Sequence, residues 1–227
     1  EDPSKPVVEG ILRESDRLGE LLSEFEADFA PTTPETAIVT LDASFPAPYS
    51  PTPLLSGSQL PNSPPVLEPV LVAEILEPLL LSQQAIAQER QIQLTAVVPL
   101  DLPPVRANAS ALREVFSNLI DNALKYTPSG GTVLIKAGLS RTADAKSWQG
   151  IAIEDTGYGI PESDGEHIFE RHYRGVQAAG KIAGSGLGLA IVKDLVERMQ
   201  GEIILISPNN LGGKLPGTTF TVWLPLL

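Results

Sequence analysis

The first hydrophobic pattern along the chain predicts a helix. Its apolar positions, with one polar gap, are spaced by three and four residues: Val8, Ile11, Ser15, Leu18, Leu22, Phe25 and Phe29. This spacing is typical of a helix that packs in a bundle or a coiled coil. The helix could dock on its own domain or contribute to an intermolecular bundle, and the linker that follows favours the bundle.

A proline-rich segment follows this helix. Residues 31–69 contain ten of the 21 prolines of the chain and very few charges. Such a sequence sustains neither a helix nor a central strand. We therefore expect a helical part in residues 1–29, a linker in residues 30–65 and a folded domain in residues 66–227.

From about residue 66 the pattern predicts an α/β fold. Helical spacing covers residues 70–90, 108–126 and 187–200, and strand-like apolar runs cover residues 92–98, 132–138, 149–154, 202–207 and 218–224. Pro78 lies inside the first helix and predicts a kink or a restart there. Asn108 or Ser110 is the candidate N-cap of the second helix, and Gly201 is expected to close the third.

Composition and charge exclude several classes of function. No apolar run reaches the roughly 18–20 residues of a membrane span, and no signal-peptide pattern is seen, so we expect a soluble chain without membrane contact. The chain has no cysteine, which excludes disulfides and thiolate chemistry. Its net charge is −12, with twelve acidic and three basic residues in 1–68 but sixteen and thirteen in 69–227. Because an acidic chain repels a phosphate backbone, we expect no nucleic-acid partner, whereas the nearly neutral second part is compatible with one bound nucleotide.

The second helix of the folded domain carries a polar ridge. Glu114, Asn118 and Asn122 recur every four residues and therefore line one side of the helix. Their oxygens suit a hard cation such as Mg²⁺, which takes one or two protein ligands and leaves its other positions to phosphates and water. Lys125 can bring an ammonium group to a phosphate, and the ring of Tyr126 can stack on a base. A solvated polar face is the alternative, and it accounts less well for the whole pattern.

A turn after the strand of residues 149–154 offers a second polar group. Asp155 ends the apolar run, and Gly157 and Gly159 permit unusual backbone angles and close approach of a ligand. A carboxylate at this place can accept a hydrogen bond from an exocyclic amine such as that of adenine. A plain turn is the alternative, because Asp-x-Gly sequences are common in turns.

A glycine-rich loop leads into the third helix. Gly184, Gly186 and Gly188 bring free backbone amides and the positive end of a helix dipole to one place, which favours an anion. The spacing differs from that of a dinucleotide fold, since Leu189 stands where the third glycine is needed. Arg171 and Arg174 precede this loop in a segment that could close as a lid over phosphates.

Four segments, in this order, resemble the N, G1, F and G2 boxes of sensor histidine kinases of two-component systems. They are NLIDNALKYT at 118–127, DTGYGIP at 155–161, IFERHYR at 168–174 and GSGLGLAIV at 184–192, followed by a Gly-Thr-Thr strand at 217–219. The resemblance covers about residues 66–227. It implies the Bergerat-type α/β (α+β) two-layer sandwich of the GHKL ATPases.

The resemblance also implies roles for single residues. Asn122 would coordinate magnesium, Asn118 and Lys125 would lie at the phosphates, and Tyr126 would lie against adenine. Asp155 would hold the adenine amine, and Arg171 would lie in the lid. The candidates for nucleotide binding are Asn118, Asn122, Lys125, Tyr126, Asp155, Gly157, Gly159, Ile160, Arg171, Arg174, Gly184, Ser185, Gly186, Leu187, Gly188, Leu189 and Thr219. The candidates for catalysis are Glu114 and Asn118, and the candidate metal ligand is Asn122.

By the same resemblance, the parent protein transfers the γ-phosphate of Mg²⁺–ATP to a histidine on its own phosphoacceptor bundle and signals to a response regulator. It would be a homodimer in full length and cytoplasmic, and residues 1–29 resemble the C-terminal part of a bundle helix. The only histidines, His167 and His172, lie in the lid segment and lack the sequence context of the acceptor. We therefore expect the chain to bind ATP without phosphorylating itself.

Two other functions stay open at this point. The chain could be another GHKL ATPase, such as a chaperone or a DNA-repair or topoisomerase subunit. The Lys-Tyr pair after Asn122 and the short connection from Asp155 to the glycine-rich loop count against that. It could also be a non-catalytic module whose interactions are gated by a nucleotide.

Overall fold

The computed structural model describes residues 66–143, 146–175, 185–209 and 211–227. The described residues include neither the predicted helix in residues 1–29, nor any of the linker in residues 30–65, nor Gly184, so these predictions remain untested. Within the described part, helices pack on one face of a mixed β-sheet.

The sheet has five strands in the order β2-β4-β5-β7-β6. Their bounds are β2 Gln93–Val97, β4 Thr132–Ala143, β5 Lys146–Asp155, β6 Glu202–Ile206 and β7 Thr218–Pro225. β2 runs parallel to β4, and the other neighbours are antiparallel. Two short strands, β1 Glu68–Val70 and β3 Val105–Ala107, pair separately and were missed by the sequence pattern because each has only three residues.

The helices are α1 Val72–Glu89, α2 Ala109–Tyr126, α3 Glu162–Gly165 and α4 Gly188–Arg198. Asn108 is the N-cap of α2, since its side-chain oxygen accepts a hydrogen bond from the Ala111 amide at 3.0 Å. Pro78 does not interrupt α1. Because proline has no N–H, the carbonyl of Glu74 receives no helical hydrogen bond from position 78. Pro78 and Glu74 are both exposed, so water can replace that bond.

Two differences from the predicted elements have clear causes. β4 continues past Gly138, which has φ 87° and marks a shift in the pairing with β5, so the glycine is a bulge rather than the strand end. α4 ends at Arg198, and the residue in the left-handed conformation after it is Gln200 (φ 59°), not Gly201. Gly201 is required for another reason, because a Cβ there would lie 2.6 Å from the carbonyl oxygen of Trp223.

The core lies between the helices and the sheet. Among its fully buried side chains are Leu112, Val115, Phe116, Leu119, Ile120, Val133, Ile135, Ile151, Ile153 and Val222. On β5, side chains alternate between the two faces, so Ile153 and Asp155 lie on the helix-covered face. This register brings Asp155 to the end of the core next to α2. In the described part of the chain, no helix is both long and apolar enough to cross a bilayer.

Candidate nucleotide site

A cavity of about 460 Å³ opens where α2, the turn after β5 and the start of α4 meet. Twelve of the predicted residues line it: Asn118, Asn122, Lys125, Tyr126, Asp155, Gly159, Ile160, Arg174, Ser185, Gly186, Gly188 and Leu189. Glu114, Gly157, Arg171, Leu187 and Thr219 lie outside its wall. The structure therefore brings residues from all four sequence segments to one place.

The polar ridge of α2 meets the start of α4. The side-chain amide of Asn118 donates to the carbonyl oxygen of Glu114 at 2.9 Å, which leaves its Oδ1 directed to α4. A Cβ at Gly188 would lie 2.8 Å from that oxygen. Asn122, one turn further along α2, lines the cavity and is only partly buried. Amide oxygens of this kind are ligands that Mg²⁺ accepts, so the ridge fits a metal that takes its other ligands from phosphates and water.

Two cations belong to the wall of the cavity. Lys125 and Arg174 both line it, and the Lys125 ammonium lies 5.4 Å from the centroid of the Tyr126 ring. Burial lowers the pKa of Lys125, the charge of Arg174 lowers it further, and Asp121 opposes both. Two like charges that repel each other across a cavity are stabilised when an anion such as a phosphate enters.

Asp155 also lines the cavity and is 5% exposed. The Gly157 amide donates to its Oδ1 at 2.8 Å, and the backbone of Thr218, its partner in β7, also bonds to the carboxylate. Burial raises the pKa of Asp155 to about 6, against the lowering effect of these two bonds. At neutral pH the side chain is therefore mainly a carboxylate, a hydrogen-bond acceptor in a wall that also includes the apolar side chains of Ile160 and Phe220.

The predicted lid segment is tied to the glycine-rich loop. The amide of His172 donates to the carbonyl of Gly186 at 2.9 Å, and a Cβ at Gly186 would lie 2.8 Å from the carbonyl oxygen of Tyr173. The Tyr173 side chain bonds in turn to the buried carboxylate of Asp164. Residues 172–175 thus connect the segment around α3 with the start of α4, and they hold Arg174 in the cavity wall.

A family model described as histidine kinase-, DNA gyrase B- and HSP90-like ATPase matches residues 107–227. The chain belongs to this ATPase family. The sensor histidine kinase Hik2 of Synechocystis sp. is 45% identical over 233 residues, which cover 99% of this chain and 51% of Hik2. The chain thus spans about half the length of this relative.

Solved structures agree with this family. The mycobacterial sensor histidine kinase MprB is 29% identical, with a TM-score of 0.55 over 70% of this chain and 98% of that one. Full-length ShkA in complex with AMPPNP is 27% identical, with a TM-score of 0.57 over 72% of this chain and 32% of that one. The described domain is therefore an ATP-binding catalytic domain of the sensor histidine kinase type, and the predicted α/β fold is confirmed.

Sequence reasoning missed several residues that line the cavity of this ATPase domain. Thr218, not Thr219, lines the cavity, because Thr218 pairs with Asp155 on the helix-covered face while Thr219 pairs with Glu154 on the opposite face. The alternation of side chains along a strand could have identified it.

Asp121 was also missed, although it lines the cavity. It lies three residues after Asn118, a helical spacing that places both on neighbouring ridges of α2. Burial raises the pKa of Asp121, while a hydrogen bond from Gln83 Nε2 at 2.6 Å and the charge of Lys125 lower it. Gln83 comes from α1, a contact that no local pattern reveals. The contact between Asp164 and Tyr173 could not be predicted from a local pattern either, because it forms only when the lid segment folds.

Proposed function

We propose that this chain is the ATP-binding half of a sensor histidine kinase, which transfers the γ-phosphate of Mg²⁺–ATP to a histidine outside this sequence. Residues 66–227 form the catalytic domain, residues 30–65 a linker and residues 1–29 the end of a helix of the phosphoacceptor bundle. The observation that carries the proposal is one cavity whose wall combines the buried carboxylate of Asp155 with two side-chain amides and two cations.

The adenine ring occupies the Asp155 end of the cavity. The carboxylate accepts a hydrogen bond from the exocyclic amine, and Tyr126, Ile160 and Phe220 provide flat or apolar surface around the base. Guanine carries a carbonyl where adenine carries this amine, and two oxygens repel each other at that place. The site therefore selects ATP over GTP. The hydrogen bonds from the backbone of Gly157 and Thr218 support this selectivity, because they hold the Asp155 carboxylate in a fixed orientation.

The phosphates occupy the other end of the cavity. The first backbone amides of α4, at Gly188 and Leu189, lack partners inside the helix and direct positive partial charge to the cavity. Lys125 and Arg174 add two full positive charges, and Arg171, three residues before Arg174, is exposed at the surface. Together these groups offset the charge of a triphosphate.

Asn122 is the residue that would hold the magnesium ion, and Asn118 lies beside it at the phosphates. When bound, the ion neutralises charge on the phosphate oxygens and orients them. Asn118 is itself fixed by its bond to the Glu114 carbonyl and by its contact with α4. The protein therefore presents a prepared surface to the metal–nucleotide complex rather than a closed metal cage.

Phosphoryl transfer needs mainly positioning and charge stabilisation from the protein. The bond between the γ-phosphorus and the bridging oxygen breaks, a bond to an imidazole nitrogen forms, ADP leaves and the imidazole loses a proton. The side chain of Glu114 is exposed one turn before Asn118, outside the cavity wall, where an incoming imidazole can reach it. Glu114 is therefore the candidate to receive that proton, with Asn118 as the candidate to orient the phosphate.

The partners follow from this reaction. The acceptor lies on the phosphoacceptor bundle of the same kinase, which is homodimeric in full length, and a cytoplasmic response regulator receives the phosphate next. The likeness to the sensor kinase Hik2 over nearly the whole chain supports this assignment.

The test is a transfer experiment with two proteins. The purified chain is mixed with a phosphoacceptor bundle that carries the acceptor histidine, and Mg²⁺–ATP labelled at the γ-phosphate is added. We expect acid-labile label on the bundle, none on a bundle with that histidine replaced by glutamine, and none on this chain alone. ATP binding without any transfer would contradict the kinase function and favour a nucleotide-gated module.

A further inference from the structure

The connection between β6 and β7 folds against the turn that carries Asp155. Its described residues are 207–209 and 211–217, and none of them lines the cavity. The Asn209 amide donates to the Pro216 carbonyl at 2.9 Å and closes the connection, and the Gly217 amide donates to the Gly157 carbonyl at 3.0 Å. The connection is therefore bonded directly to the backbone of the turn.

Asn209 bonds to the first residue of the turn. Its side-chain amide donates to the carbonyl oxygen of Asp155 at 2.9 Å and to the hydroxyl of Thr219 at 3.2 Å. Its Oδ1 accepts from the Leu211 amide at 3.3 Å. Gly217 leaves room for this arrangement, because a Cβ there would lie 2.5 Å from the same Asp155 carbonyl oxygen. Asn209 thus fixes the main chain at the residue whose carboxylate enters the cavity.

Ser207 bonds to the other end of the turn. Its hydroxyl accepts a hydrogen bond from the Ile160 amide at 2.8 Å and donates one to the Gly217 carbonyl at 2.9 Å. Gly159 has φ 72°, and a Cβ there would lie 2.8 Å from the Pro216 Cβ. The turn is therefore packed closely against the connection at Gly159 and hydrogen-bonded to it at Ile160.

We propose that Ser207 and Asn209 are positioning residues for recognition of the adenine amine. This inference rests on the proposed function, in which Asp155 accepts that bond. The two donors that orient the carboxylate, the amides of Gly157 and Thr218, belong to segments that Ser207 and Asn209 tie to each other. Loosening either side chain lets the carboxylate turn away from the direction in which the amine donates, and hydrogen bonds weaken steeply as they bend.

The test compares two nucleotides on the full 227-residue chain. One is ATP, and the other is purine riboside triphosphate, which carries the same phosphates but lacks the exocyclic amine. The variants are Ser207→Ala and Asn209→Ala, each with a melting curve by circular dichroism. Ser82→Ala is the matched control, because it also removes a hydroxyl hydrogen bond, but on the exposed side of α1. Ser207→Thr keeps the hydroxyl and serves as the rescue variant.

We expect Ser207→Ala and Asn209→Ala each to weaken ATP binding about tenfold, the size of one lost hydrogen bond, and to change binding of the amine-free nucleotide less than about twofold. Ser82→Ala leaves both affinities unchanged, and Ser207→Thr recovers most of the ATP affinity. Equal losses of affinity for the two nucleotides would show that both residues only stabilise the fold, and would overturn the proposal. Unchanged affinity for ATP in both variants would overturn it as well.

The Asp155→Asn variant separates failure of this inference from failure of the proposed function. If it loses ATP affinity selectively and Ser207→Ala does not, only the positioning role is wrong. If Asp155→Asn fails to distinguish the two nucleotides, the adenine assignment itself is wrong, and the positioning role falls with it.

Discussion

Gly188, the first residue of α4, lies so close to Asn118 of α2 that a Cβ at Gly188 would be 2.8 Å from the Asn118 Oδ1. The amide of the same Asn118 side chain is held by the Glu114 carbonyl at 2.9 Å, so the side chain cannot rotate away without losing that bond. The start of α4 and the polar ridge of α2 therefore form one continuous wall of the cavity. Each element fixes the other in place.

Gly188→Ala is expected to weaken Mg²⁺–ATP binding. The methyl group displaces Asn118 or shifts α4, and either change removes an aligned group from the phosphate end. We expect a loss of at least about tenfold in affinity by calorimetry, the size of one hydrogen bond or more. Gly165→Ala in α3 is the matched control, because a Cβ there has nothing within 4 Å and its φ is not positive. Equal affinities in the two variants would contradict the close contact.

Asn122→Ala is expected to abolish the magnesium dependence of ATP binding and leave the fold intact. Asn122 lines the cavity and is partly exposed, so its removal does not open the core. The measurement is the affinity for ATP with magnesium and with a chelator, together with a melting curve. A variant that retains the full gain in affinity from magnesium would show that Asn122 is not the ligand.

We expect Asp155 to determine which nucleotide base the cavity accepts. A site built around a buried hydrogen bond can discriminate by about 10⁴, so we expect a strong preference for ATP over GTP. Asp155→Asn replaces an acceptor by a group that also donates, and it reduces this ratio. Glu154→Gln is the control, because Glu154 is the next carboxylate along β5 but is paired with Lys136 at 3.1 Å on the opposite face of the sheet. Equal affinities of the unmodified chain for ATP and GTP would show that Asp155 does not recognise the adenine amine.

The raised pKa of Asp155 predicts a pH dependence of adenine binding. Its ordinary value is 3.8, and burial raises the pKa to about 6 in the free protein. The charged carboxylate is the stronger acceptor for the amine, so affinity is nearly constant above about pH 7 and falls as the pH decreases through the pKa, by at most about tenfold per unit.

The phosphates of the nucleotide also titrate, so the control for this measurement is purine riboside triphosphate, which carries the same phosphates. The ratio of the ATP affinity to that of the amine-free nucleotide should fall between about pH 7 and pH 5. A ratio that stays constant or rises over this range would contradict the assignment.

The elements of the fold were largely predictable because their apolar spacing is strong. α2 was located to within a residue, including its cap Asn108, and β7 differs from its prediction by one residue at one end. The limits of β4 were not predictable, since Gly138 is a bulge inside a strand and only the pairing with β5 distinguishes this from a strand end. Short β1 and β3 have too few residues to carry a periodic pattern.

The candidate site also contains some residues that the sequence could place and others that it could not. Residues on one helix, such as Asn118, Asn122 and Lys125, could be placed together from spacing alone. The contacts of Asp155 with Thr218 and Asn209 join positions more than fifty residues apart, and no local pattern reports them. Sequence reasoning thus found the groups that would touch the nucleotide more readily than the groups that orient them.

The central claim is that one cavity binds adenine at Asp155 and the phosphates at Asn122 and Lys125. Its most direct test is a calorimetric comparison of adenosine, ADP and Mg²⁺–ATP on the unmodified chain, on Asp155→Asn and on Lys125→Met. We predict that Asp155→Asn weakens all three ligands by a similar factor, whereas Lys125→Met weakens ADP and Mg²⁺–ATP and leaves adenosine unchanged. The reverse pattern, or the same losses in both variants for every ligand, would contradict the account.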